Sequence, residues 1–492
     1  MTTDREALNS LRVLRRSYER ICAGLPWLDA CVWDDDPPAW PEYARPSGLA
    51  GVRAAAARGD LAGRLAEVKR REGWDLLRFA PAVTGGWADV QPLCAEMSAT
   101  GTPLVVLHTD VPLEKIGALA EQWPRLRVIV ESGPLKILYF FAELQELLGR
   151  HANLYLCTYN LCNWLALERL EAAGLGERLV FGSHSPRFSA AAAQGPVALA
   201  RLPWERKCDL AGNNLRRLLG RPPVRAAEVA PAEGAAFIVD AHAHSGAPGR
   251  FPVPDESFGP ADWVAFMDAC GIETLYLTPL ESITDPAADP GALSRELRAG
   301  TGGRVRFLEV FDPRAGVENL RRIEHSLDNP DCVGVKIHPS FHETAADDER
   351  YEPIYALAER RQRPILTHSW DVSPTNPVQH LSHPDRFRAL LGRHPGVRLV
   401  LGHAGGRPGA LEAVGRLCGE FAGVRVDLAG DYYDNGLVEC LAERIGVARV
   451  LFGSDVNWMD PRGNLAPVLA SRLSDEEALG VLRGNALATY GR

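Results

Sequence analysis

This chain of 492 residues lacks features that would place it in several classes of protein. It has no apolar run of the about 20 residues that a membrane-spanning helix needs. Met1 to Arg20 form a charged amphipathic pattern without the apolar core of a secretory signal. The net charge of -9 comes without a basic stripe, which argues against a nucleic-acid partner. We therefore expect a cytoplasmic protein that acts on a small molecule, with no membrane and no nucleic-acid partner.

Paired cysteine motifs and glycine-rich loops are also missing. The 10 cysteines are dispersed over apolar segments with no C-x-x-C pair, so we expect most of them to be small buried hydrophobic residues. No glycine-rich loop follows the first strand of the C-terminal half, which counts against a Rossmann domain. The sequence thus favours neither a disulfide scaffold nor a dinucleotide-binding fold.

A stretch rich in Pro, Ala and Glu, Arg221 to Ala235, separates two parts of the chain. We predict a first domain over residues 1–222, a linker over 223–235 and a second domain over 236–492. In the second domain, strand patterns alternate with helical patterns, which predicts an α/β fold and a TIM (β/α)8 barrel. The predicted strands are Phe237 to His244, Thr274 to Leu280, Arg304 to Pro313, Cys332 to Pro339, Pro364 to Trp370, Arg398 to Gly406, Val424 to Asp431, and Ala448 to Val456.

Residues that can bind a metal stand at the ends of five of these strands. His242 and His244 are two positions apart on the first strand, so their side chains face the same side. The other strands supply Lys336 with His338, then His368, His403 and Asp455. The carboxyl ends of parallel strands in a closed barrel meet at one mouth, where barrel enzymes keep their chemistry. The sequence therefore predicts a metalloenzyme.

The residue types indicate how the site could work. His242, His244, His368 and Asp455 suit one divalent metal ion, with Zn2+ expected, because neutral imidazole and carboxylate are good ligands for it. Asp455 could also be a general base. His403 could be a fifth ligand, or act on the substrate as an electrophile or acid. Lys336 could pair with Asp455 or with a substrate carboxylate, or be carbamylated and bridge two metals.

Substrate-binding residues are harder to identify. The aromatic residues Phe341, Trp370 and Trp458 follow the ligand-bearing strands and could form the wall of a pocket or belong to the core. Arg250 and Arg407 could hold a carboxylate bidentately or be surface charges. His338 could contact the substrate or support the ligands. The remaining histidines of this half are expected in solvent: His325, His342, His380, His383 and His394.

The first domain repeats the second in weakened form. Leu28 to Trp33 align with Val239 to His244, and Leu179 to His184 align with Val450 to Asp455. The ligand positions of the second domain are replaced in the first: His242 by Cys31, His244 by Trp33, His368 by Leu107, His403 by Ser132, and Asp455 by His184. We predict a degenerate TIM-barrel-like copy that binds no metal, could be incomplete, and forms an intrachain pseudo-dimer with the second domain. A second site from Cys31, His108 and His184 is the alternative, although His108 is one residue out of register.

Five motifs of the second domain, taken together, resemble a known family. They are Val-Asp-Ala-His-Ala-His, Gly-Val-Lys-Ile-His-Pro, Pro-Ile-Leu-Thr-His, Leu-Val-Leu-Gly-His-Ala-Gly-Gly and Leu-Phe-Gly-Ser-Asp. In this order they are similar to the amidohydrolase-related (amidohydrolase 2) branch of the metal-dependent amidohydrolase superfamily, over Phe237 to Arg492. The resemblance implies a TIM barrel with one catalytic divalent metal at His242, His244, His368 and Asp455, and a catalytic role for His403.

The resemblance leaves the reaction open. The first hypothesis is a hydrolase of an amide, lactone or related carbonyl, in which Asp455 moves the proton while His403 and the metal stabilise the oxyanion. The alternative is a non-oxidative decarboxylase of an aromatic or unsaturated carboxylic acid, in which an arginine helps to hold the substrate. A non-catalytic scaffold is a third hypothesis, because one half has lost its site. Assembly into a homo-oligomer stays open.

Overall fold

The structure, a computed structural model, describes residues 2–32, 38–43, 49–52, 54–56, 75–79, 91–132, 140–232, 234–246, 259–374 and 376–491. The chain divides into two compact units: an N-terminal unit, Tyr18–Pro231, and a C-terminal unit made of Met1–Ser17 with Ala232–Arg492. The first 17 residues thus group with the C-terminal unit. Ion pairs inside that unit hold them, because Arg12 Nε and Arg15 Nη1 lie 2.9 and 2.7 Å from the Asp475 carboxylate.

The N-terminal unit contains a sheet of six described strands, all parallel, in which each strand pairs with the next along the chain. The strands are β1 (Ala54–Ala56), β2 (Leu76–Arg78), β3 (Leu104–Leu107), β4 (Val128–Glu131), β5 (Leu154–Cys157) and β6 (Leu179–Val180). The predicted first strand of this unit forms an isolated bridge from Asp29 to Gly51. It also meets the segment after β6, because Ala30 N donates to Phe181 O at 2.9 Å.

The C-terminal unit contains a sheet of eight parallel strands, again paired in chain order. They are β7 (Ile238–Ser245), β8 (Ile272–Pro279), β9 (Val305–Val310), β10 (Cys332–Ile337), β11 (Ile365–Thr367), β12 (Leu399–Leu401), β13 (Val424–Asp427) and β14 (Val450–Leu451). Hydrogen bonds join the first strand to the segment after the last: Ala241 N donates to Phe452 O at 3.0 Å and Asp455 N to His242 O at 2.8 Å. The predicted TIM barrel is confirmed.

The barrel is filled by apolar side chains. These residues are buried and pack as one cluster: Val239, Ala241, Tyr276, Leu308, Val333, Leu366, Val400, Leu451, Ala486 and Tyr490. Most of them are strand residues, and the helices cover the outside of the strands. Strands buried on both faces read as nearly continuous apolar runs, which is why their positions could be predicted from the sequence.

Seven of the eight predicted strands run past their observed carboxyl ends, and three of them do so through residues of the predicted metal site. The ladder ends at Thr367, Leu401 and Leu451, before His368, His403 and Asp455. His403 and Asp455 adopt the left-handed backbone region, with φ of 63° and 67°. A strand cannot continue through that conformation. The apolar pattern locates each strand, but these three residues of the site lie in the turn that follows it.

Helices connect the strands in both units. Those of the N-terminal half are Asp4–Gly24, which begins in the C-terminal unit, and Gln91–Thr100, Leu113–Gln122, Phe141–Arg150, Ala166–Ala172, Ala190–Ala198, Trp204–Cys208 and Asn214–Leu218. Those of the barrel are Pro260–Cys270, Leu280–Thr284, Pro290–Leu293, Arg295–Gly300, Gly316–Ser326, Glu352–Arg361, Arg388–Arg393, Leu411–Glu420, Leu437–Leu441, Pro461–Ala470, Asp475–Leu479 and Asn485–Tyr490. Among the described helices, none has both the length and the apolar character that crossing a membrane requires.

Beside the site, a buried aspartate forms hydrogen bonds between the first strand of the barrel and the segment that follows the last. Asp240 Oδ1 accepts hydrogen bonds from Ser454 N at 3.1 Å and His242 N at 3.2 Å, and its Oδ2 accepts from Ser454 Oγ at 2.5 Å. The N-terminal unit repeats this arrangement. Asp29 Oδ1 accepts from Cys31 N at 2.7 Å and Ser183 N at 3.1 Å, and its Oδ2 accepts from Ser183 Oγ. Both units therefore have the same contact between an aspartate and a serine that follows the last strand of the sheet.

Candidate metal centre

The predicted metal-binding side chains lie together at the mouth of the barrel. His242 and His244 belong to β7, and His368, His403 and Asp455 follow β11, β12 and β14. None of these residues is more than 7 % exposed. Because they are withdrawn from water, each polar atom needs a partner within the protein or a bound ion.

His242 is held at both ring nitrogens. Its Nδ1 lies 2.9 Å from Asp427 Oδ2, and its Nε2 lies 2.8 Å from Lys336 Nζ and 3.7 Å from Asp455 Oδ1. A carboxylate only accepts hydrogen bonds, so Nδ1 carries the proton and the lone pair is on Nε2. The Lys336 ammonium donates to that lone pair and so supplies a positive charge beside it. Burial lowers the pKa of Lys336 to about 8.

His244 and His403 have the same tautomer for a similar reason. Nδ1 of His244 lies 2.9 Å from Thr278 O, and Nδ1 of His403 lies 3.1 Å from Ala429 O. Backbone carbonyls only accept, so both Nε2 atoms have lone pairs that face the mouth. Nε2 of His244 lies 3.2 Å from Asp455 Oδ1, which also only accepts when ionised. Two acceptors at this distance need a proton or a metal ion between them.

His368 completes the set. Its Nε2 lies 2.8 Å from Gln379 Oε1, and its Nδ1 lies 3.1 Å from Nε2 of His403. With the amide oxygen accepting from Nε2–H, Nδ1 of His368 has its lone pair directed at the lone pair of His403. This is a second contact between two acceptors that a cation would relieve.

The donor set fits a divalent metal ion. The ligand atoms of His242, His403 and Asp455 lie within 4.8 Å of one another, and His244 and His368 adjoin them at 3.2 and 3.1 Å. Metal-binding histidines almost always donate their second ring nitrogen to a carboxylate or carbonyl, as these do. His403 therefore belongs to the same group of side chains as the predicted ligands.

The protonation states also suit an ion. Burial lowers the pKa of His242, His368 and His403, that of His403 to about 4. Burial alone would raise the pKa of Asp455, but the hydrogen bond with His244 and the charges of His403 and His242 hold it well below its usual value. At neutral pH the imidazoles of His242, His368 and His403 are therefore neutral and Asp455 is ionised, the forms that bind metals.

The predicted substrate-binding residues lie in two groups. His338 and Trp370 both stack on His368, with ring centroids 4.1 and 5.6 Å away. The Arg407 guanidinium lies 4.7 Å over the Trp370 ring, and its two Nη atoms each lie 3.2 Å from an oxygen of Asp431. Phe341 and Trp458 pack against an apolar cluster formed by Leu280, Ile283 and Val310. Arg250 lies outside the described residues.

Sequence reasoning missed two residues that hold the histidines. Asp427, at the end of β13, has no exposed surface and contacts His242. Gln379 belongs to the 3-10 turn Pro377–Ser382 and contacts His368. The signal for Asp427 was available, because it ends an apolar strand as the ligands do, whereas no pattern marks Gln379. The expectation that His342 lies in solvent was wrong, because it is fully buried.

The N-terminal unit has different side chains at the corresponding positions. Cys31 Sγ lies 3.0 Å from Cys157 Sγ, where the barrel has His242 beside Asp427. The buried carboxylate of Glu131 lies 3.6 Å from Arg78 Nη2 and 3.6 Å from His184 Nδ1. His108 Nδ1 lies 3.3 Å from Glu131 O. Trp33 lies outside the described residues.

Known proteins match the C-terminal half. Residues 239–492, just over half of the chain, match the family model Amidohydro_2, described as Amidohydrolase. No curated protein matches the chain. A 2,6-dihydroxybenzoate decarboxylase from Rhizobium is 16% identical, with a TM-score of 0.40, 52% of this chain and 98% of that chain covered.

Two further solved structures are similar to a comparable extent. A 5-carboxyvanillate decarboxylase from Novosphingobium aromaticivorans, solved with manganese and 4-hydroxy-3-methoxy-5-nitrobenzoic acid, is 15% identical, with a TM-score of 0.41, 53% of this chain and 97% of that chain covered. A structure described as amidohydrolase II is 16% identical, with a TM-score of 0.39, 52% of this chain and 100% of that chain covered.

Proposed function

The chain belongs to the amidohydrolase family, and on this premise we propose that its C-terminal unit is a metal-dependent hydrolase of an amide, lactone or related carbonyl of a small molecule. One observation carries the proposal. Lone pairs of His242, His244, His368 and His403 and the carboxylate of Asp455 face one buried space, and the second nitrogen of every ring is bound to an acceptor. This pairing of the second ring nitrogen is the pattern that metal-binding histidines show.

One divalent ion is proposed at this place, with Zn2+ as the ion because it accepts both imidazole and carboxylate. When bound, the ion would polarise a substrate carbonyl and lower the pKa of a water molecule to about 7. Lys336 then supplies positive charge beside the site. The alternative in which Lys336 is carbamylated and bridges two ions differs in metal content, with two equivalents per chain in place of one.

Asp455 is the proposed base. It is ionised and buried beside His244, so it can take a proton from the attacking water and pass it to the leaving group. His403 is proposed as a ligand, because Ala429 O holds its Nδ1–H and its Nε2 faces His242 and Asp455. Asp455 is thus proposed both to hold the ion and to move the proton, whereas the histidines hold the ion.

The decarboxylase hypothesis has weaker support from the described residues. It needs an arginine to hold the substrate carboxylate, and Arg407 already has a carboxylate partner in Asp431, at 3.2 Å from each Nη atom. A second carboxylate would compete with that pair. This observation favours the hydrolase.

We propose further that the N-terminal unit is a degenerate copy without metal, paired with the barrel inside one chain. The shared Asp29 and Asp240 arrangements support a common origin for the two units. If the C-terminal half alone proved as stable and active as the whole chain, pairing would have no role and that part of the proposal would be wrong.

Metal content tests the proposal first. Elemental analysis of the purified chain should find one equivalent of metal, lost when His242→Ala is combined with Asp455→Ala. A set of lactones, amides and aromatic acids then tests the reaction: hydrolysis consumes water and releases no gas, whereas carbon dioxide release without water uptake would establish the decarboxylase. If the chain held no metal and bound no added Zn2+ at millimolar concentration, the result would favour a scaffold role.

A further inference from the structure

Asp427 makes three hydrogen bonds, and its two oxygens have different partners. Oδ1 accepts from the backbone N–H groups of His403 at 2.8 Å and Ala429 at 3.1 Å, whereas Oδ2 accepts from the ring of His242 at 2.9 Å. The residue has no exposed surface, so water does not compete for either oxygen.

We propose that Asp427 is the positioning residue that fixes the tautomer of His242, and that the metal site depends on it for this reason. With the proton held on Nδ1, the lone pair of His242 is on Nε2 and faces Asp455 and Lys336. The same carboxylate holds the backbone of His403, so one side chain orients two of the metal-binding histidines. The inference rests on the proposed metal site.

The geometry singles out Asp427→Asn as the informative variant. Both backbone donors point at Oδ1, so the amide oxygen of the asparagine must stay there to keep them paired. Its NH2 group then faces Nδ1 of His242, and a donor cannot face a donor. Either His242 moves its proton to Nε2, where it can no longer bind an ion and meets Lys336, or its ring turns away from position 427, and both outcomes weaken the metal site. The variant is nearly the same size and removes neither backbone contact.

Asp240→Asn is the matched control. Asp240 is equally buried, and its Oδ1 also accepts from two backbone donors. Its Oδ2 accepts from the hydroxyl of Ser454, which can rotate and accept from an amide instead. Both variants replace a buried carboxylate by an amide at the same depth in one barrel. They differ in the partner of the second carboxylate oxygen. The Ser454 hydroxyl can change from donor to acceptor, whereas Nδ1 of His242 can accept only if it gives up its proton.

The test is the affinity for Zn2+ of the metal-free full-length chain, measured by competition with a chelator. Removing such a supporting contact weakens metal binding by about 10 to 100-fold, and we expect this loss for Asp427→Asn. Asp240→Asn should stay within about 3-fold of the unchanged chain, the usual scatter of a neutral substitution. Circular dichroism checks that each variant is folded.

Three results would overturn the inference or its premise, and they can be told apart. Equal affinity in Asp427→Asn and the unchanged chain contradicts the tautomer role, and an equal loss in both variants shows that the loss of any buried carboxylate in this barrel has the same effect. A chain that binds no Zn2+ refutes the proposed metal site. Nitrogen NMR of 15N-histidine-labelled, metal-free chain tests Asp427 even if the variant does not fold, because a proton on Nε2 of His242 would contradict the inference. His242→Gln identifies the signals.

Discussion

The mouth of the barrel and the corresponding part of the N-terminal unit share an arrangement of hydrogen bonds to the backbone. They differ in the side chains that surround it. In each unit a buried aspartate, Asp240 or Asp29, accepts from two backbone N–H groups and one serine hydroxyl. His184 and Asp455 also share a left-handed backbone, with φ of 52° and 67°. The contacts that join the strands therefore do not depend on the metal-binding side chains.

The charges at the two places differ. The barrel mouth gathers imidazole lone pairs and the Asp455 carboxylate, which need a cation. At the N-terminal positions Arg78 and His184 flank Glu131 at 3.6 Å, and two uncharged thiols replace the pair of His242 and Asp427. Burial raises the pKa of both thiols, so they stay protonated. The comparison shows that strand ends gathered at the mouth of a barrel do not by themselves make a metal site. The site also needs a set of acceptors that neighbouring positive charges leave unpaired.

The largest expected effect comes from removing ligands in one unit and their counterparts in the other. Asp455→Asn should remove the bound metal and lower activity by about 10³-fold or more, because it takes away both a ligand and the proposed base. His184→Asn, at the corresponding N-terminal position, should change neither. Elemental analysis and turnover of a hydrolysed substrate measure the contrast. Loss of metal in His184→Asn would mean that the N-terminal unit contributes to the site.

Acid should destabilise the metal-free barrel. The pKa of His403 is about 4 in the folded chain against 6.5 ordinarily, so the unfolded chain binds this proton first as the pH falls. The contribution of His403 to the free energy of unfolding is therefore complete above about pH 6.5. It decreases towards pH 4, by up to about 3 kcal/mol. Urea unfolding of chelator-treated protein at pH 7 and pH 5 measures the loss. The pH dependence should shrink in His403→Gln, and an unchanged dependence would show that His403 is not its source.

A smaller effect is expected from a glycine that makes room for the site. A Cβ at Gly402 would lie 3.0 Å from Cε1 of His242 and 2.7 Å from Thr367 O, closer than van der Waals contact. Gly402→Ala should displace the His242 ring and weaken Zn2+ binding about 10-fold. Gly415→Ala, where a Cβ meets nothing within 4 Å, is the control. Equal affinities in the two variants would show that the ring can shift without loss.

The sequence predicts the ligands because they follow apolar strands, whose pattern is strong when both faces are buried. It does not predict which nitrogen of a histidine faces the site, because that depends on partners far along the chain, such as Asp427, 185 positions after His242. The grouping of Met1–Ser17 with the barrel likewise depends on the distant Asp475. The local sequence pattern therefore gives the position of a ligand along the chain, whereas contacts with distant residues determine its tautomer.

The smallest effect should come from grafting the missing pair into the N-terminal unit. Cys31→His with Cys157→Asp restores a histidine beside an aspartate, yet we expect no second equivalent of Zn2+. Leu107 stands at the position of His368, and Glu131 stands where the barrel has Gly402, the glycine whose added Cβ would crowd the His242 ring. The grafted imidazole would meet Glu131, which already lies beside Arg78 and His184. Elemental analysis of the double variant measures this, and a second equivalent of bound metal would show that a histidine and aspartate pair suffices without the acceptors that complete the barrel site.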